Sequence, residues 1–260
     1  MSKVKYTLEA GVATLTMSDP ATLNAAGVDM AEALSAAFKK AGREARAVVL
    51  TGEGRGFCSG ANLSPNAAGG GMGGEDRDAG SGLDTIFNPF MTMLRDLPIP
   101  FVTAVNGAAA GVGCSMAISG DIIIAAESAY FLQAFRRIGL VPDGGSTYML
   151  PRMIGRARAM EMMLMGEKIP AAKALEWGLV NRVVPDGDLM TTAYQFATEL
   201  ANGPKSLSMI RKLGWESLDR HWRDQLGQER DMQALAGRTE DHKEGVAAFR
   251  EKRPAKFTGK

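Results

Sequence analysis

Metal-binding and disulfide frameworks have little to work with in this chain. Its 260 residues contain two cysteines, Cys58 and Cys114, and two histidines, His221 and His242. None of these forms a CxxC or other ligand-like pair, which argues against a Cys/His zinc site. A disulfide between the two thiols stays open by count, but so few cysteines fit a reducing, cytoplasmic setting better. An excess of one charge is missing too. Thirty Lys and Arg against 29 Asp and Glu leave +1, so no electrostatic pull toward nucleic acid or an anionic membrane is expected. The opening residues MSKVKYTLEA carry no apolar h-region of a signal peptide. Residues 97–120 are free of charge for 24 positions but include Pro98, Pro100, Asn106 and four glycines. A membrane span would be richer in Leu and Ile. The run reads as the buried centre of an α/β core.

The composition present is that of a globular protein, 45% apolar and 23% charged. The length suits one large domain, or a core with a smaller appendage. VKYTL and VATLTM, flanking Glu9-Ala10-Gly11, predict a hairpin. Apolar residues at Met30, Leu34, Ala37 and Phe38 predict a helix over 28–42, with Lys39, Lys40 and Arg43 toward its end. AVVLTG (47–52), FVTAV (101–105) and DIIIAA (121–126) read as buried strands, and this strand–helix–strand succession predicts parallel pairing. Residues 107–113 read as a small-residue turn leading into a helix that runs to Ile118. After Pro151 the spacing is helical over 156–165, 171–177, 188–201, 204–217 and 222–236, with VNRVV (180–184) strand-like. The glycine-dense stretch 64–82 is expected to be a mobile loop. Neither it nor Gly52-x-Gly54-x-Gly56 has P-loop or dinucleotide spacing.

Three segments place small residues just beyond strand ends: residues 56–63 (GFCSGANL), 106–113 (NGAAAGVG) and 138–145 (IGLVPDGG). Ligands bind in that region of α/β sheets, where small residues let backbone approach them. Two such loops can aim N–H groups at one oxygen. Taken singly, each reads better as a set of turns and tight packing positions.

Together the segments carry a resemblance. Phe57-x-Ser59-Gly60-Ala61-Asn62-Leu63, Asn106-Gly107-x-Ala109-x-Gly111-x-Gly113, Asp121-Ile122-Ile123-x-Ala125 and Gly139-Leu140-x-Pro142-Asp143-x-Gly145 resemble the crotonase family of enoyl-CoA hydratases and isomerases. Pro20-x-x-x-Asn24-Ala25 and the segment Glu244–Arg253 extend the match over nearly the whole chain. The implied fold is an α/β spiral of ββα units over residues 1–200, followed by a helical trimerisation region at 201–260. The implied partner is an acyl-CoA thioester bound by a homotrimer or dimer of trimers. Coenzyme A belongs to the substrate, and no other cofactor or metal is implied. The oxyanion-hole N–H groups fall on Ala61 and Val112. Asn24, Ala25, Gly60, Asn62, Leu63, Gly111, Ser115, Phe135, Phe249 and Lys252 fall on positions bordering the substrate. Arg250, Lys252, Arg253 and Lys256 form a basic tail that family trimers lend to a neighbour's site.

Family hydratases use two glutamates, and this chain has Ser115 and Phe135 at those positions. Without that acid/base pair, ordinary hydration is disfavoured. Asp143 remains, at a position where isomerases of the family, including the ring-epoxide isomerases of phenylacetate catabolism, shuttle a proton. From the residues alone, Pro-Asp-Gly-Gly is also a favourable turn. Phe87, Phe90, Phe131 and Phe135 are candidate apolar walls. Ser115 is expected to line the pocket, and Cys58 and Cys114 to be core. The expected activity is a CoA-thioester isomerase. Competing readings are a hydratase using Glu127 or Asp78, and a silent acyl-CoA binder.

Overall fold

The computed structural model describes residues 3–62, 78 and 80–260. Leu63, the glycine-dense stretch to Arg77, and Ala79 lie outside the described residues. Alternating apolar residues make β1 (Val4–Glu9) and β2 (Val12–Met17) an antiparallel hairpin, in register from Val4↔Met17 to Glu9↔Val12. α1 (Val28–Glu44) buries Met30, Ala31, Leu34, Phe38 and Ala41, a single stripe at helical spacing. β3 (Ala47–Gly52) is buried at every position and runs parallel to β2. Parallel strands covered on both faces have no polar side, which is why AVVLTG and FVTAV read as unbroken apolar runs.

From β3 onward the chain repeats a unit of one strand in a large sheet, a short strand in a second sheet, and a helical return. β4 (Gly56–Cys58) precedes α2 (Asn88–Arg95). β5 (Phe101–Val105) and β6 (Ala108–Ala110) lead into α3 (Val112–Ala117). β7 (Ile122–Ala126) and β8 (Tyr130–Leu132) lead through a 3-10 turn at Ala134–Ile138 into α4 (Ser146–Met165). α4 contains Pro151 and breaks at Gly155, whose φ is 77° and ψ 157°. β9 (Ile169–Pro170), α5 (Ala171–Glu176) and β10 (Arg182–Val184) follow. The large sheet has the order β1-β2-β3-β5-β7-β10 and the small one β4-β6-β8-β9. This is the α/β spiral that the resemblance implies.

α6 (Leu189–Ala201) lies on the large sheet and buries Leu189, Ala193, Ala197 and Ala201. α7 (Ser206–Ser217), α8 (Trp222–Ala236) and α9 (Glu240–Glu251) come after it. Arg211 of α7 is buried and donates to the carbonyls of Leu94, Arg95 and Leu97 at the end of α2, and to Asp121 Oδ2. One side chain thus caps α2 and fastens α7 to the core. Among the described residues no helix is long and apolar enough to cross a membrane.

The second sheet corrects the sequence reading. Residues 107–113, expected as a turn, contain β6, and β4, β8 and β9 have no counterpart in that reading. Strands of two or three residues are too short to display a period of two, so nothing in their composition marks them. α2 and α9 are likewise additions.

The sheets bring α3 against β4. A Cβ at Gly113 would sit 2.3 Å from the Cys58 carbonyl oxygen, so only glycine permits this approach. Gly113→Ala is expected to cost about 1–3 kcal/mol or more. Thermal denaturation checks this, and an unchanged midpoint would refute the contact.

Candidate active site

Three loops meet at the C-terminal ends of β4 and β6 and at the start of α4. Gly60, at φ +102°, lies under the second loop: a Cβ there would be 3.0 Å from the Ala110 oxygen and 3.8 Å from Gly111 Cα. Gly111, at φ +53° and ψ −129°, caps α3 from its other side, and Phe135 Cζ is 3.8 Å from its Cβ position. The third loop closes on α3. A Cβ at Gly144 would be 2.8 Å from Ser115 Cβ and 3.4 Å from Val112 Cγ2. Consecutive left-handed glycines, Gly144 at φ +59° and Gly145 at φ +79°, allow this turn.

The orientation of the two backbone donors follows from their neighbours. Ala61 forms a parallel bridge with Ala26, in which Ala26 N–H donates to Gly60 O at 2.7 Å and Asn62 N–H to Ala26 O at 3.3 Å. Peptide direction alternates along an extended chain, so the N–H of Ala61 points away from Ala26. Val112 is the first residue of α3, where a helix leaves its N–H groups without intrahelical acceptors. Neither N–H has an acceptor among the described residues.

Asp143 immediately precedes Gly144, whose Cβ position is against Val112. It is half-buried, and its Oδ1 is fully covered with no hydrogen-bond partner. Desolvation alone raises its pKa, to about 6. Among the described residues the other covered carboxylate oxygen without a hydrogen bond is Glu216 Oε2, and the Arg220 guanidinium is 2.9 Å away. Asp143 has no such cation. A cavity of about 220 Å³ adjoins the turn, lined by Gly144, Gly145, Met91, Met149, Tyr148 and Trp215 among others.

Several expected site residues serve the scaffold instead. Asn24 is fully buried at φ +58°; its Oδ1 accepts from Asp19 N–H and its Nδ2 donates to Glu53 O and Gly56 O. Both Asn24 side-chain polar atoms are engaged, so it braces the loop rather than binding substrate. Ala25 and Asn62 help to hold that brace through backbone bonds to Thr22 Oγ1 and Ala26 O. Ser115 is fully buried rather than pocket-lining, and its hydroxyl contacts the Asp143 carbonyl at 3.0 Å. Phe90 packs on Phe38 in the core, with ring centroids 6.3 Å apart, and Phe131 is fully buried there too. Of the four candidate phenylalanine walls, Phe135 is the one against Gly111. Burial pushes the Cys58 thiol up to about 11 and Cys114 up to about 12, as inert core thiols.

Phe249 and Lys252 are not brought to these loops within the chain. Phe249 is 86% exposed on α9 and lines a separate hollow of about 500 Å³ with Pro204, Thr239 and Phe257. Lys252 caps the same helix at φ +52°. Arg253, expected in a basic tail, is paired with Glu244 and Glu251, each at 2.6 Å. Leu63 lies outside the described residues. Ser146 and Gln133, which touch the Asp143 turn or each other, gave no signal in the sequence, because a lone hydroxyl or amide has no spacing to recognise.

Comparison with known proteins identifies the family. The model of the enoyl-CoA hydratase/isomerase family matches residues 7–260. The 1,2-epoxyphenylacetyl-CoA isomerase of Escherichia coli is 44% identical over 256 residues, 97% of this chain and 97% of its own length. A probable enoyl-CoA hydratase of Rhodobacter capsulatus is 42% identical over 262 residues, 99% of this chain and 98% of its own. Among solved structures, a putative enoyl-CoA hydratase/isomerase from Mycobacterium abscessus superposes with a TM-score of 0.92 at 34% identity, covering 99% of this chain and 100% of that one. The chain therefore belongs to the enoyl-CoA hydratase/isomerase, or crotonase, family, whose substrates are CoA thioesters.

Proposed function

We propose that this protein is a CoA-thioester isomerase that shifts a double bond, or rearranges an acyl group, through an enolate. The observation that carries this reading is the Asp143 carboxyl, covered and unpartnered, on a turn whose next residue, Gly144, packs against Val112. The carboxylate removes a proton from carbon, and the electron pair moves onto the thioester oxygen. The N–H groups of Ala61 and Val112 hold the resulting oxyanion; one such donor typically contributes about 2.7–4 kcal/mol. The Asp143 carboxylic acid then returns the proton to a second carbon. No other cofactor enters this sequence, since coenzyme A is part of the substrate. A base with a pKa near 6 suits transfer at neutral pH.

The name of the Escherichia coli relative puts forward an acyl group of the 1,2-epoxyphenylacetyl kind. A homotrimer, or a dimer of trimers, is part of the proposal. Its support is the exposure of Ile210 (61%), Trp222 (75%) and Phe249 (86%) along the C-terminal helices. The hydratase reading is kept alive by the Rhodobacter relative's name. Its candidate acids fit poorly: Glu127 is exposed, and Asp78 is exposed and caps Gly80 N–H.

Incubation with 2-enoyl-, 3-enoyl- and aromatic CoA esters in deuterated, 18O-labelled water separates the two. Isomerisation adds no oxygen and puts deuterium on carbon only where the Asp143 proton exchanges with solvent before its return, whereas hydration adds 18O. Asp143→Asn is expected to lower the rate of isomer formation by about 10²–10⁴-fold while acyl-CoA still binds. Wild-type turnover in that variant would remove Asp143 from the mechanism.

The pH dependence has a definite sign. Protonation disables the base, so kcat/KM is expected to fall as pH drops through about 6. Burial raises the folded-state pKa, so the ionised group destabilises the fold above that pH and not below the unfolded value of about 4. Asp143→Asn should therefore raise the unfolding temperature at pH 8 more than at pH 4, and an equal effect at both would contradict the burial cost.

A further inference from the structure

Three donors converge on one oxygen, the main-chain carbonyl of Asp143. Ser146 N–H lies 3.1 Å away, Ser146 Oγ 2.7 Å and Ser115 Oγ 3.0 Å. The two hydroxyls are 2.6 Å from each other, and Gln133 Nε2 donates to Ser146 Oγ at 3.3 Å. Ser115, Ser146 and Gln133 are all fully buried, so water does not compete for these contacts.

Each hydroxyl has a single proton, yet the pair makes three contacts. In one arrangement Ser146 donates to Asp143 O and Ser115 donates to Ser146. In the other, Ser115 donates to Asp143 O and Ser146 donates to Ser115. In both, a hydroxyl proton sits on the Asp143 carbonyl, which at 3.0 Å is a better acceptor for Ser115 than Gly111 O at 3.5 Å.

The carbonyl needs that restraint because its own carboxyl is in an unfavourable place. A carboxylate oxygen covered without a donor costs free energy that a small backbone rotation toward water would recover. The residues that follow, Gly144 and Gly145, give the backbone little resistance to such a rotation. We propose that Ser115 and Ser146 are positioning residues for proton transfer, clamping the Asp143 backbone so that its carboxyl keeps its covered position. This rests on the reading of Asp143 as the proton carrier. It also gives position 115, where the resemblance puts a hydratase glutamate, a supporting role.

Other charges around the turn are accounted for. On the 3-10 turn before it, Arg136 donates to Leu164 O and Met165 O, and Arg137 to Gly166 O. On α4, Tyr148 OH is on Asp219, and Arg152 donates to Tyr148 O and stacks on its ring. On α3, Cys114 is neutral at working pH. Desolvation is the sole cause of the Asp143 shift, so the position of the carboxyl decides how it titrates.

The test is a 13C NMR titration of aspartate-labelled protein, with Asp143→Asn identifying the resonance, alongside steady-state kinetics. The wild-type carboxyl is expected to titrate near 6. Either single variant, Ser115→Ala or Ser146→Ala, leaves a second hydroxyl for the carbonyl and moves the midpoint little. The double variant drops it toward the ordinary carboxylate value of about 4. It also lowers kcat about tenfold to a hundredfold, with KM little changed. If the double variant does not fold, Ser115→Cys with Ser146→Ala fills the space with a weak donor, and the same drop is expected. A midpoint that stays at the wild-type value in a folded variant overturns the proposal, even if activity or stability falls, because the serines would then be packing only. The failure of the isomerase reading looks different: Asp143→Asn would keep turnover, while the carboxyl titration would still decide the clamp.

Discussion

At Gly113 a methyl group would stand 2.3 Å from the Cys58 carbonyl oxygen, and the arrangement of the site depends on that closeness. It sets α3 directly against β4. Gly60 then meets Gly111, which puts Ala61 and Val112, from different turns of the spiral, on neighbouring backbone segments. Packing of backbone on backbone leaves no side chain to adjust, so the spacing of the two donors is as rigid as the sheets that carry them. A backbone donor is indifferent to its own side chain, which is why valine at 112 is no obstacle.

The Asp143 carboxyl works against stability in the same spot. A half-buried acid with a covered, unpartnered oxygen is held there by contacts to its main-chain carbonyl, not by any group on the carboxylate itself. That division keeps the carboxyl rigid and leaves its basicity unquenched. An arginine or N–H placed on the carboxylate would steady it as well, but would pull its pKa below the range useful for taking a proton from carbon. In the proposed mechanism the function rests on a local conflict, a desolvated acid on a well-satisfied backbone.

Much of the fold was legible because its long elements bury whole faces. α1 and α6 bury a stripe at helical spacing, and β3 and β5, covered on both faces, read as unbroken apolar runs. The second sheet was not legible, since Gly56–Cys58, Ala108–Ala110 and Tyr130–Leu132 pair over too few residues to show any pattern. At the site, Ala61, Val112 and Asp143 stood out through a resemblance of motifs. Asn24 belongs to those motifs as well, yet its amide braces the loops. Motif membership marks positions that matter to the family's architecture and does not separate scaffold from ligand.

The amino-acid sequence by itself determined the α/β class and the parallel core, because these depend on residue identity and local periodicity; the lack of a hydratase glutamate pair is what its resemblance to the family implies. Only the tertiary structure decided that Asp143 is covered and unpartnered, that Ser115 faces its carbonyl, and that Phe249 stands apart from the loops. Those are properties of neighbours brought together from distant parts of the chain, and desolvation acts through space, not along the sequence.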